Sequence, residues 1–234
     1  MHSPAVPPAP RSDSPSPSTP PGAVTAGRVA AVLGAASVLL LVLVAAGWGP
    51  LDSWDRSVAN DLHRWAVADP GLTHANRVLS DWVWDPWTMR LLTAVAFLVL
   101  WFRGSRLLAG WLALTSLVGA LVSQGVKAAV GRERPHWPDP VDSAHFAAFP
   151  SGHAMTATVT VGMLLWLLRR HGTSGQLWHL ALVVGIVSVA GVGFTRLWLG
   201  VHWASDVLGG WLFGGCLVAL SVATYEGRAL SRWR

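Results

Sequence analysis

The chain has 234 residues, of which 52% are hydrophobic and only 12% charged, against about a quarter charged in an average soluble domain. That balance excludes an ordinary soluble globular protein and implies an integral membrane protein whose first partner is the bilayer. The formal charge of +5 does not point to nucleic acid, because the basic residues stand at the ends of apolar runs rather than clustered with aromatics on a soluble face.

Fifteen tryptophans suit the interfacial belts of a bilayer. The single cysteine, Cys216, lies inside an apolar run and reads as a packing residue, which leaves no intrachain disulfide and no cysteine metal site.

In chain order, residues 1–25 are rich in Pro, Ser and Ala and cannot bury enough apolar surface to order themselves. A disordered tail is expected there, without the basic start and short apolar core of a cleaved signal peptide. Residues 29–48 form the first run long enough to cross a hydrocarbon core of about 30 Å. Residues 51–68 change character: Leu51, Trp54, Val58, Leu62 and Trp65 recur at steps of three or four with charges between them, the pattern of an amphipathic helix. Pro70-Gly71 breaks it, and a weaker helical pattern runs through Leu72, Ala75 and Leu79. This region is placed on the membrane surface. His63 and His74 lie on it with no second ligand type at metal spacing and are read as solvated.

Five further apolar runs follow, at 87–102, 107–130, 154–168, 177–194 and 207–224. The expected fold is therefore all-α: a polytopic membrane protein with six transmembrane helices in a bundle and an amphipathic surface helix region between helices 1 and 2. Residues 26–226 make up this six-span unit, and 227–234 form a short basic cytoplasmic tail. Arg28, Arg103, Arg106, Arg169, Arg170, Arg228, Arg232 and Arg234 fall in segments that alternate with the others and belong on the cytoplasmic side. Both termini are then cytoplasmic, in a cell membrane, and the segments between spans 3 and 4 and between 5 and 6 face outward. Lys127, Arg132, Arg134 and Arg196 on that outward side run against the positive-inside tendency, which implies a functional demand for cations there.

Three stretches meet at that face. Span 3 ends in Lys127 to Arg134-Pro135, span 4 opens with Pro150-Ser151-Gly152-His153, and span 5 leads through Thr195-Arg196 to His202 and Asp206. Ionisable residues at membrane depth are costly and mark function. One lysine and two arginines suit a multiply charged anion, lysine as a point charge and arginine as a fork matching phosphate oxygens. The Ser151-Gly152 amides at a helix start add donors and a positive helix end. His202 and Asp206, four apart, share a helical face, so Asp206 orients His202 as a nucleophile, and a protonated His153 gives a proton to the leaving oxygen. Arg132, Glu133, His136 and His145 read as solvated loop residues. Trp137, Trp198 and Trp203 read as anchors or packing, and His171 and His179 carry no role.

Lys127 with six residues before Arg134-Pro135, then Pro150-Ser151-Gly152-His153, then Arg196 with five residues before His202 and three before Asp206, resembles the three-part signature of the type 2 phosphatidic acid phosphatase (PAP2) superfamily. It also resembles the vanadate site of the vanadium haloperoxidases. The resemblance implies Lys127, Arg134 and Arg196 as phosphate ligands supported by Ser151 and Gly152, His153 as general acid, His202 as nucleophile and Asp206 as its partner, with no metal ion or other cofactor. It implies a lipid phosphatase working through a phosphohistidine, with polyprenyl diphosphate expected first and phosphatidic acid or phosphatidylglycerol phosphate next. The family's usual serine before the third-motif arginine is Thr195 here. The rival readings are a lipid or sugar phosphotransferase and a non-catalytic anion- or lipid-binding membrane protein; intact His153, His202 and Asp206 speak against the latter.

Overall fold

A computed structural model describes residues 21–231, and the remainder of the two expected tails, residues 1–20 and 232–234, lies outside the described residues. Every regular element among the described residues is helical. In chain order these are α1 (Pro21–Ala45), α2 (Gly49–Ala68), α3 (Pro70–Val78) with a π-helical turn at Leu79–Val83, α4 (Pro86–Phe102), α5 (Arg106–Val130), α6 (Gly152–Arg170), α7 (Gly175–Trp198) and α8 (Ala204–Ser231). Prolines at the starts of α2, α3 and α4 set the helix boundaries, since proline fits the first turn and nowhere further in.

Five helical stretches among the described residues are long and apolar enough to cross a membrane: Gly22–Ala45, Pro70–Phe102, Arg106–Val130, Gly175–Trp198 and Ala204–Arg228. α6 is not among them. Thr156, Thr158 and Thr160 and the terminal Arg169-Arg170 dilute its leucines, and its position explains why this is tolerated. α6 packs against α4, α5, α7 and α8, burying Ala154, Met155, Ala157, Val159, Thr160, Met163 and Leu167. A helix walled in by protein satisfies its hydroxyls there: Thr158 donates to the Ala154 carbonyl at 2.8 Å and Thr160 meets Thr93 of α4 at 3.3 Å.

α1 begins at Pro21 and α8 runs to Ser231, both inside segments expected from composition to be tails. The last turns of α8 are held by side chains. Tyr225 packs edge-on against Trp111 and Trp166, and Glu226 accepts the Trp166 indole N–H at 3.1 Å. α1 lies along α8, its principal neighbour.

α2 is helical over the expected stretch, and the face it turns to the bundle is not the whole apolar stripe. Asp55, Ala59, Leu62, His63 and Ala66 are buried against the bundle, while Trp54 and Trp65 of the apolar stripe are exposed. Small alanines let the backbone approach the bundle, and Asp55 meets the half-buried Arg132 there.

Glycines of α8 bring its backbone against that of α6. A Cβ at Gly210 would stand 2.7 Å from the Ser151 carbonyl oxygen and 3.0 Å from the Met155 nitrogen, and one at Gly214 would stand 3.1 Å from the Met155 carbonyl oxygen. Those obstacles are backbone and cannot swing aside. Gly210→Ala is expected to cost about 1–3 kcal/mol, read as a lowered unfolding midpoint in detergent. Gly125→Ala on α5, where a Cβ meets nothing within 4 Å, is expected to be neutral or to raise the midpoint slightly.

Candidate active site

Four helix ends and two connections deliver the site. Lys127 lies in the last turn of α5, which Gly131 closes in a left-handed conformation at φ 61°. The loop 131–151 then carries Arg132 and Arg134 back over the bundle. Ser151 caps α6, whose first residues are Gly152 and His153. Arg196 occupies the last turn of α7 and Asp206 the first turn of α8, with His202 in the short connection between them. Alternating helix directions put all of these at one end of the bundle.

The three cations predicted from the sequence converge, and among the described residues none of them has a carboxylate within salt-bridge distance. Lys127 Nζ donates to the Ala147 carbonyl at 2.5 Å, with the Ala148 carbonyl at 3.4 Å. Arg134 donates through Nε to Phe146 O at 2.6 Å and through Nη1 to Val201 O at 2.5 Å. Arg196 Nη1 donates to Ser80 Oγ, in the π-helical turn, at 2.8 Å, and its buried Nε has no partner. Neutral oxygens make the direct contacts to these side chains; Asp81, Asp85 and Asp142 line the same cavity and offset part of the charge of Arg196 without pairing with it, which leaves donor capacity for an anion.

His202 is buried between opposite partners. Its Nε2 lies 3.1 Å from Arg134 Nη1, and its Nδ1 lies 3.2 Å from Asp206 Oδ2. Arginine has only donors, so Nε2 accepts and the ring proton of a neutral imidazole sits on Nδ1, facing the carboxylate. Burial, and then the charges of Arg134, Arg196 and Lys127, push His202 well below the usual imidazole value. Asp206 Oδ2 also accepts the Trp203 amide at 2.9 Å. His153 is half-buried and has no hydrogen-bond partner among the described residues.

Both histidines, all three cations and Gly152 line one cavity of about 550 Å³. Ser151 does not line it. That residue is fully buried, its amide donates to the Asp206 carbonyl at 2.8 Å, and its hydroxyl faces the Ala154 amide at 3.5 Å. It therefore ties α6 to α8 rather than offering its amide to an anion. Thr195 is buried too, with Oγ1 donating to Val192 O within its own helix at 2.9 Å. A second, largely apolar cavity of about 350 Å³ runs between α4, α5 and α6, past Phe97, Ala113 and Val159, and shares Arg90, Ala120 and Thr156 with the first. Among the described residues no three His, Cys, Asp or Glu side chains are grouped to hold a metal ion.

Several partners were not legible in the sequence. Arg132, expected to be solvated, donates to Asp206 Oδ1 at 2.7 Å, to Ser205 Oγ at 2.7 Å and to Asp55 Oδ2 at 2.8 Å. Burial works against its charge, but Asp206 and Asp55 more than offset that and raise its pKa. His63, also expected in solvent, is buried, stacked on Trp137 at 3.9 Å and bonded to Asp139 at 3.0 Å. Trp137, Trp198 and Trp203 serve packing, each indole N–H bonding to protein oxygen. His74 is exposed, as expected.

A histidine held neutral only in the folded protein makes stability fall as pH drops below the unfolded value near 6.5, because the unfolded chain then binds a proton that the folded one refuses. Nitrogen-15 histidine NMR in detergent is expected to show His202 as the neutral Nδ1–H tautomer at pH 6, where an ordinary imidazole is mostly protonated. A protonated ring at that pH would contradict the burial and charge balance described here.

Comparison with known proteins identifies the family. Residues 108–229, just over half of the chain, match the family model described as PAP2 superfamily. An undecaprenyl-diphosphatase from Sulfolobus acidocaldarius is 29% identical over 152 residues, covering 61% of this chain and 63% of the relative. Phosphatidylglycerophosphatase B from Bacillus subtilis is 33% identical over 96 residues, 40% of this chain and 46% of the relative. A lipid A 1-phosphatase from Rhizobium etli is 31% identical over 124 residues, 49% of each chain. The chain thus spans less than two thirds of the length of each of these relatives. The crystal structure of a transmembrane PAP2-type phosphatidylglycerolphosphate phosphatase from Bacillus subtilis shares the fold, with a TM-score of 0.71 at 21% identity over 86% of this chain and 98% of that one. With the family model covering the segments that carry the cations and both histidines, this integral membrane protein belongs to the PAP2 superfamily.

Proposed function

We propose that this chain is a lipid phosphatase that removes a phosphoryl group through a phosphohistidine, with six membrane-spanning helices and α2 lying on the outer surface. The observation that carries this reading is the junction of two cavities: a cationic one holding both histidines and an apolar one between α4, α5 and α6, joined at Arg90, Ala120 and Thr156. A phosphate head and a hydrocarbon tail on one molecule fit that pair. The names of the relatives support the same class of substrate.

In the proposed reaction Lys127, Arg134 and Arg196 hold the phosphoryl oxygens, with the Gly152 amide at the positive end of α6 beside them. Arg134 moves from His202 Nε2 onto a phosphoryl oxygen, freeing that lone pair. Nε2 attacks phosphorus, a P–N bond forms as the P–O bond to the lipid breaks, and Asp206 stabilises the charge left on the ring through Nδ1–H. His153 gives its proton to the departing lipid oxygen, then takes one from the water that attacks the phosphohistidine. Phosphate leaves and His202 is restored, with no metal ion taking part.

Polyprenyl diphosphate is the first substrate in this reading, ahead of phosphatidic acid and phosphatidylglycerol phosphate. Arg90 supports the order. It stands where the two cavities meet, its guanidinium 4.8 Å above the Trp87 ring. In a diphosphate lipid the phosphate that stays on the lipid falls between tail and reacting group, beside Arg90. An outward-facing site in a cell membrane with cytoplasmic termini is supported by Arg103, Arg106, Arg169 and Arg170, which lie at the bundle end away from the cavity. Arg106, Arg169 and Arg170 there rest over aromatic rings. Residues 26–226 are the proposed catalytic unit.

The test is phosphate release by purified protein against those three lipids, with and without a chelator and without an added acceptor alcohol. Release that survives chelation is expected, with His153→Ala slower by about 10²–10⁴-fold, His202→Ala inactive, and acid-labile phosphate on His202 after a rapid quench. Arg90→Ala is expected to lower kcat/KM for the diphosphate roughly tenfold more than for phosphatidate. Turnover only with an alcohol acceptor would make the protein a phosphotransferase, and inactivity on every lipid would leave a binding protein.

A further inference from the structure

We propose that Asp55 of α2 and Arg132 of the loop 131–151 are positioning residues for the proposed nucleophile, Asp55 anchoring Arg132 and Arg132 holding Asp206 so that its other oxygen stays on His202. This rests on the phosphohistidine reading for its catalytic meaning, but the geometry stands by itself.

The two oxygens of Asp206 have separate duties. Oδ1 accepts Arg132 Nη1 at 2.7 Å, and Oδ2 accepts the Trp203 amide at 2.9 Å and faces His202 Nδ1 at 3.2 Å. On its far side Arg132 reaches Asp55 Oδ2 through Nη2 at 2.8 Å, with Asp52 at 3.6 Å. Ser205 closes the remaining gap. Its amide donates to Asp55 Oδ1 at 2.8 Å, and its hydroxyl donates to Asp55 Oδ2 while lying 2.7 Å from Arg132 Nη1. Asp55 and Asp206 are 1% and 0% exposed, so both carboxylates are cut off from water and only the half-buried Arg132 between them is partly screened.

A carboxylate shared between an arginine and an imidazole lends each only part of its charge. How much Asp206 gives to His202 therefore depends on how far Asp55 has already neutralised Arg132. Remove Asp55, and Arg132 turns its whole charge on Asp206, making His202 less basic. Remove Arg132, and Asp206 is left to the imidazole alone, making His202 more basic. Opposite signs are required by a relay through Asp206 but would also follow from the bare charges, so the Nδ1–H proton shift, which reports the Asp206–His202 hydrogen bond itself, must move in both variants as well. The other groups facing His202, namely Lys127 from α5, Arg134 from the loop, His153 from α6 and Arg196 from α7, are unchanged in both variants.

The experiment measures the pH at which His202 takes up a proton, by histidine NMR of the full chain in detergent, together with the acid limb of kcat/KM for phosphate release. Arg132→Met is expected to raise that pH by roughly one unit, the scale of one nearby charge. Asp55→Asn, which leaves Arg132 and Asp206 as a balanced pair, is expected to lower it or leave the ring neutral throughout. If Arg132→Met does not fold, the double variant Asp55→Asn with Arg132→Met, which keeps only one of the two buried carboxylates, is expected to show the same rise. Asp55→Glu is expected to restore the wild-type limb. Equal shifts in the two single variants, none in either, or an Nδ1–H resonance unmoved in either one, would overturn the proposal. Because the NMR titration needs no turnover, a wild-type protein without phosphatase activity would refute the lipid phosphatase reading and leave this test intact.

Discussion

Three cations crowded into one cavity repel each other, and the rest of the site is arranged around holding them there. A carboxylate beside each would hold them most cheaply, but would also cancel the charge that an anion must find. Lys127, Arg134 and Arg196 are fastened instead by backbone carbonyls and one serine hydroxyl. The loop 131–151 and the turn after α7 are shaped to aim those carbonyls inward. Arg132 shows the opposite treatment only two residues from Arg134. Matched to Asp55 and Asp206, it is a cation that no ligand can claim. The difference between a binding cation and a structural one is thus set by the kind of oxygen opposite it.

Helix ends are what make such an arrangement possible in a membrane protein. In the hydrocarbon region backbone groups must be satisfied within a helix, so irregular chain with free carbonyls and amides is available only where helices stop. α5, α6, α7 and α8 all stop or start at the same level. Ser151 stitches two of these ends together through the Asp206 carbonyl, which relates the α6 side of the site, with Gly152 and His153, to the α8 side, with Asp206.

Much of this was legible in the sequence. Residues as far apart as Lys127 and Asp206 were placed together because alternation of apolar runs forces them to one side; His202 and Asp206 do meet, but not on the helical face expected from their spacing, because His202 lies in the turn before α8 and Asp206 in its first turn. The helices of the amphipathic region were foreseen, but not the face that α2 buries, because a three-to-four periodicity in Trp54 and Trp65 cannot say whether an aromatic stripe meets protein or headgroups. Asp55 was read as one of several polar residues between the stripe positions. Its partner lies 77 residues on, and a pairing at that separation leaves no period to detect. His63 and Ser80 were missed for the same reason. The end of α8 was missed because composition turns polar there, while the aromatic contacts of Tyr225 keep the helix going.

The seam between α6 and α8 bears on where this molecule can move. With Gly210 and Gly214 set against the backbone of Ser151 and Met155, the two helices cannot slide or part without losing contacts along several turns. That wall is a fixed jaw. The opposite wall, which includes the π-helical turn and the start of α4, is held to α7 by side chains instead, Trp84 seated on Gly191 and Ser80 bonded to Arg196, so it is the side on which a change of side-chain position can make room for a bulky guest. The molecule is hinged like a vice with one plate bolted down, and the bolts are two missing methyl groups.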